Sequence, residues 1–191
     1  MIIGLTGKAR SGKSTCANHL VEGHGFVRIN FKDALVNEMK ENLKDTLEKM
    51  CQELGEFKGE PWTIERLFDE KPPIMRALMQ NYGTDIRRKD KDSYWTDRWN
   101  KAVAEAIEAG DDIVVDDVRF KNEADAVKLQ GGNLVRVIRK GSEPTDNPTH
   151  ISETEMDEIE VTHNISCITG DVVGLQLWMN KIIEEYGKRE E

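Results

Sequence analysis

Apolar residues recur along this chain in two alternating rhythms. Residues 2–6, Ile-Ile-Gly-Leu-Thr, are a short, almost unbroken apolar run, as expected of a strand buried on both faces. Helical spacing takes over at once, with Cys16, Ala17, Leu20 and Val21 on one face. Residues 26–30, FVRIN, predict a second strand. A long, heavily charged helical pattern then runs from about 32 to 54 and closes at Gly55 and Gly59. The stretch 55–73, with two glycines, three prolines and many charges, reads as an excursion from the core. Pro72-Pro73 suits a helix start, and Ile74, Leu78 and Tyr82 continue that helix at a spacing of four. Trp95, Trp99, Ala102, Val103, Ala106 and Ile107 mark the next helix, which ends at Gly110.

The second half repeats the alternation. Ile113, Val114 and Val115 predict a buried strand, 120–129 a helix stopped by Gly131-Gly132, and Leu134 to Ile138 a fourth strand. Residues 140–156 have loop composition, and a short strand is expected near 159–165. The last helix carries Leu175, Trp178, Met179, Ile182, Ile183 and Tyr186 on one face. Strands alternating with helices predict an α/β fold in three layers: about five parallel strands with helices on both faces.

At 191 residues, 38% hydrophobic and 33% charged, the chain fits one soluble domain with a real core. No apolar run is long enough to span a membrane, and the N-terminus lacks a signal-peptide pattern. The three cysteines, Cys16, Cys51 and Cys167, are far apart and form no CxxC pair, which argues for a reducing cytoplasm and against a zinc or disulfide framework. A net charge of −9 leans against a nucleic-acid polymer and toward a small-molecule ligand.

Chemistry enters at residues 7–14. Gly7-Lys8-Ala9-Arg10-Ser11-Gly12-Lys13-Ser14 matches G-x-x-x-x-G-K-[ST] in full, between a strand and a helix. The glycines let the chain pass close to phosphate, and loop amides with the helix N-terminus face the anion. Lys13 brings positive charge to the β and γ phosphates, and the Ser14 hydroxyl can ligate Mg²⁺. The pattern predicts a site for a nucleoside triphosphate, ATP, at Gly7, Ala9, Arg10, Ser11, Gly12, Lys13, Ser14 and Thr15. No N-K-x-D base-reading motif is present, so a GTPase is disfavoured, and the short chain with an early loop suits a small-molecule kinase. Asp116 and Asp117 follow an apolar strand, where open α/β sheets bind ligands; there they can serve a magnesium shell or cap the next helix. Arg119 is shaped to take phosphate bidentately, or to pair with Glu123.

Several segments, in order, resemble the phage-type deoxynucleoside monophosphate kinases. They are GKARSGKST, RALMQNYGTDIRR at 76–88, DSYW at 92–95, DDVRFKNEADAVKLQGG at 116–132, VRVIRKG at 135–141 and THISE at 149–153. The resemblance implies a P-loop kinase fold over 1–191, with 31–110 as a helical insertion binding the monophosphate and about 140–156 as a lid. It implies transfer of the ATP γ-phosphate, with Mg²⁺, to a deoxynucleoside 5′-monophosphate. Lys13, Arg10, Asp33, Asp117 and Arg119 then belong to the reaction centre, Ser14 and Asp117 to the metal, and Arg139 to the ATP side. Lys32, Arg76, Gln80, Gly83, Thr84, Asp85, Arg88, Trp95, Arg119, Glu123, His150 and Glu153 fall on the acceptor side. The acceptor phosphate would meet Arg76, Arg119, Lys32, or one of Arg87 and Arg88, and Trp95 would stack on the base. Two other readings are a kinase acting on a hydroxymethylated pyrimidine in DNA and a nucleotide-binding protein without catalysis. Trp178 and the long charged segment offer surfaces for a homodimer.

Overall fold

The computed structural model describes residues 1–57, 59–141 and 154–187. The chain forms two compact units, Met1–Phe31 with Arg98–Glu191, and Lys32–Asp97.

The first unit is built on a five-stranded parallel sheet in the order β2-β5-β1-β6-β7. Its strands are β1 (Ile2–Thr6), β2 (Val27–Arg28), β5 (Ile113–Val118), β6 (Asn133–Arg139) and β7 (His163–Cys167). Every residue of β1 is buried, as a central strand of a covered parallel sheet should be. One face packs on α1 (Lys13–His24) and α8 (Val172–Gly187), through Cys16, Ala17, Leu20, Leu175, Met179 and Ile182 against Ile3, Leu5, Val135 and Val137. The other face packs Ile2, Val115, Val118 and Leu134 on α7 (Lys121–Leu129) and on Trp99, Val103 and Ala106 of α6 (Tyr94–Glu108). Alternate residues of one strand thus feed opposite cores, which is what period-two side-chain direction requires. The three-layer α/β architecture is the one expected.

The second unit holds α2 from Lys32 onward (the helix is Phe31–Asn42), α3 (Lys44–Leu54), a small antiparallel β3–β4 pair (Glu56–Phe57 with Glu60–Pro61), α4 (Ile64–Glu70), α5 (Pro73–Gln80) and a π-helix over Asn81–Arg88. Its own core gathers Met39, Leu47, Met50, Leu67, Phe68, Met75, Tyr82 and Trp95.

Several boundaries differ from expectation. The single helix predicted over 32–54 is two, because Leu43 leaves helical backbone at φ −119° and ψ 21°. The second strand pairs only at Val27–Arg28, since Asn30 turns its side-chain Oδ1 to the Asp116 amide at 2.9 Å. The last strand begins at His163, and Ile159 instead follows a 3-10 turn at Glu155–Glu158 into the core. Asp116 and Asp117 do not lie past β5 but within it. Gly4 pairs with Val115 and Thr6 with Val118, so β5 carries one extra residue there, a bulge.

Candidate active site

The loop after β1 turns on three left-handed residues, Gly7 at φ 134°, Arg10 at φ 62° and Gly12 at φ 109°. Space as well as backbone demands the glycines. A Cβ on Gly7 would stand 2.3 Å from the Val137 carbonyl oxygen, and one on Gly12 would stand 2.7 Å from Leu175 Cδ1. Gly12 is the N-cap of α1 and no side chain caps the helix, so its first N–H groups are left for an outside acceptor. Lys13 is buried and its Nζ donates to the carbonyls of Gly7 at 2.6 Å and Lys8 at 2.8 Å. The ammonium therefore lies over the loop it serves. Arg10, Ser11, Gly12, Lys13, Ser14, Thr15 and Arg139 line one cavity of about 280 Å³. Arg139 is the last residue of β6 rather than a residue beyond it.

Two buried hydroxyls, Ser11 Oγ and Thr6 Oγ1, have no hydrogen-bond partner among the described residues. An unmatched hydroxyl, uncapped helix amides and a lysine at the rim fit an incoming phosphate. Ser14 is exposed in the first turn of α1, the position from which a hydroxyl can reach a nucleotide-bound cation. Among the described residues no three His, Cys, Asp or Glu side chains cluster to hold a metal by themselves. Lys8 Nζ donates to Asp157 Oδ2 at 2.6 Å.

At the bulge of β5, Asp116 is buried with Arg28 Nη1 at 3.9 Å, and Asp117 Oδ1 accepts the Phe31 amide at 3.0 Å. Arg119 is half-buried. Glu123 is buried and its Oε2 accepts the amides of Arg119 at 2.7 Å and Phe120 at 3.1 Å. It closes the start of α7.

In the second unit, Lys32 and Asp33 line a cavity of about 540 Å³ together with Asn37, Lys40, Asp69 and Lys71, with Phe68 among its walls. Lys40, Phe68, Asp69 and Lys71 were not among the residues expected from the sequence; the approach of α2 and α4 brings them to this cavity. Arg76 is exposed and its Nε donates to the Lys71 carbonyl at 2.8 Å. Gln80 ends α5, and Gly83, Thr84, Asp85 and Arg88 all lie in the π-helix. Trp95 lies inside rather than at the surface of this unit. It is 3% exposed, sits in the core of this unit, and donates Nε1–H to the Gly83 carbonyl at 2.9 Å, so it offers no free face to a base. His150 and Glu153 lie outside the described residues.

A phosphate-binding loop leading into a helix from the central strand of a parallel sheet, with helices on both faces, defines the P-loop class of fold. The same architecture is seen in a dephospho-CoA kinase from Campylobacter jejuni, 13% identical, at a TM-score of 0.50 over 100% of this chain and 98% of that one; the likeness is one of fold. The family model described as deoxynucleotide monophosphate kinase matches residues 59–166. A protein of Acanthamoeba polyphaga mimivirus, provisionally named deoxynucleotide monophosphate kinase, is 32% identical over 97% of this chain and 92% of its own. The deoxynucleotide monophosphate kinase of Enterobacteria phage T4 is 33% identical over 41% of this chain and 33% of its own. The chain belongs to the deoxynucleotide monophosphate kinase family and is a phosphotransferase. Among the described residues no helix is long and apolar enough to cross a membrane.

Proposed function

We propose that the enzyme transfers the γ-phosphate of ATP to a deoxynucleoside 5′-monophosphate, giving the diphosphate and ADP. The reading is carried by the complete phosphate-binding loop, with its uncapped amides and Lys13, in a chain of this family. The triphosphate is held by the loop amides of residues 7–14, with Ser11 offering its hydroxyl and Arg139 flanking the cavity. Mg²⁺, when bound, neutralises phosphate charge, and Ser14 is the residue to hold it. An oxygen of the acceptor phosphate attacks the γ-phosphorus in line. The bond from γ-phosphorus to the β–γ bridging oxygen breaks, and ADP leaves with that electron pair. Lys13 and Arg10 balance the charge that develops, which is where such catalysis gains most. Lys32, Asp33, Arg76, Thr84, Asp85, Arg88 and Arg119 serve the acceptor, and Asp117 orients the magnesium shell or the acceptor. A cytoplasmic setting, where ATP and monophosphates are at hand, goes with this reading.

The test is a panel of ribo- and deoxyribonucleoside monophosphates incubated with ATP and magnesium, reading diphosphate formed. Turnover of one or more deoxynucleoside monophosphates supports the reading. Transfer only to DNA bearing a hydroxymethylated pyrimidine, with steep salt dependence, would replace it.

A further inference from the structure

The segment Asn81–Arg88 is wound as a π-helix directly after α5. Such winding is rare, closes i→i+5 hydrogen bonds, and occurs mostly at functional sites. Gly83 and Thr84 are weak helix formers, so the segment's own residues do little to favour it.

What surrounds it does. Tyr82 Oη donates to Glu38 Oε1 at 2.9 Å, and Tyr94 Oη donates to Glu38 Oε2 at 2.6 Å. Arg87 Nη2 donates to Tyr82 Oη at 2.9 Å and lies 2.6 Å from Glu38 Oε1. The Arg87 guanidinium also rests 5.1 Å and 5.3 Å from the ring centres of Tyr82 and Tyr94. Both carboxylate oxygens of Glu38 are thus used, and its side chain is 12% exposed. Burial pushes the Glu38 carboxyl up, but the bonds from Tyr94 and Tyr82 and the Arg87 charge outweigh it and hold the group below its ordinary value.

Spacing shows what this cluster selects. Tyr82 and Arg87 are five residues apart, which an α-helix, at about 100° per residue, would put roughly 140° apart around its axis. A π turn brings residues five apart back to the same side. The Tyr82–Arg87 bond, and their common hold on one carboxylate oxygen, therefore match π winding and not α winding.

We propose that Glu38 is a positioning residue for the acceptor. Its carboxylate locks the π winding of Asn81–Arg88 and so sets the spacing at which Thr84, Asp85 and Arg88 are offered to the monophosphate. The role at the acceptor rests on the function proposed above. Arg87 belongs to the lock, and the phosphate-binding part left open between it and Arg88 falls to Arg88.

The test compares wild type with Glu38→Gln and the milder Tyr94→Phe, which removes one donor and leaves the carboxylate in place. ATP and a deoxynucleoside monophosphate are varied separately, and amide hydrogen exchange is followed along the whole chain. For Glu38→Gln, kcat/KM for the monophosphate should fall roughly 10- to 100-fold, as displaced binding groups do, while KM for ATP stays within about twofold. Exchange over 81–88 should speed by roughly 10-fold, the loss of a charge-assisted bond, with the amides of β1 and α1 unchanged. Tyr94→Phe should move the same quantities less far, and it decides the matter if Glu38→Gln does not fold. Unchanged exchange at 81–88, unchanged monophosphate kinetics, or a loss equal for both substrates would overturn the proposal. If wild type phosphorylates no monophosphate, the functional reading falls instead, and local exchange alone judges whether Glu38 holds the winding.

Discussion

Lys13 bonds back to two carbonyls of its own loop, at Gly7 and Lys8. Its charge is thereby held at the loop before any anion arrives, so little reorganisation is needed when one does. Lys13→Ala should lower diphosphate formation by about 10²–10³-fold or more; near-normal turnover would refute its assignment. The thiols sort by burial. Cys16 is fully buried and desolvation pushes its pKa up to about 12, so it stays a protonated, unreactive thiol through pH 7 to 9. Cys51 is half-buried; burial and then the Glu65 charge raise it as well, but it is open enough to meet a reagent. Timed labelling with a thiol reagent on the native protein should modify Cys51 first and Cys16 only on unfolding; early modification of Cys16 would count against this packing. At this scale the loop was legible because its demands are local: two glycines with positive φ, one lysine and one hydroxyl at fixed offsets. Trp95 was not legible, because an aromatic in a helical stripe looks alike whether it faces a ligand or, as here, the Gly83 carbonyl.

Elements were legible where apolar period and stop signals agreed, as in β1, α6 and α8. They were not where a side chain supplants a backbone partner. Asn30 stands in for the ladder at β2, and Glu123 closes α7 although the preceding Phe120 gives no hint of a cap. The break at Leu43 has neither glycine nor proline to announce it, and the bulge at Asp116–Asp117 depends on register with β1. Glu123→Ala tests its role at the start of α7. It leaves one buried and one part-buried amide without their carboxylate, so it should lower the stability of the fold by about 1–3 kcal/mol in denaturant unfolding. KM for the acceptor should stay at the wild-type value; a rise in KM with unchanged stability would restore Glu123 to the ligand.

On the scale of the whole molecule, β1 precedes both of its sheet neighbours, β5 and β6, by more than a hundred residues and lies between them. Ile2 waits for Ile113 as its neighbour, and Ile3 for Asn133. Pairings so distant in sequence form slowly, because loop closure precedes their reward. A chain stopped at residue 110 would hold every letter of the GKARSGKS motif and neither strand that flanks it. It should pass through an ATP-affinity column that retains the full chain; retention of the fragment would show that the motif needs no sheet. On this account a nascent chain gains its grip on phosphate only once both flanking strands, the later ending at Arg139, have emerged and paired, and shorter copies leave nucleotide untouched.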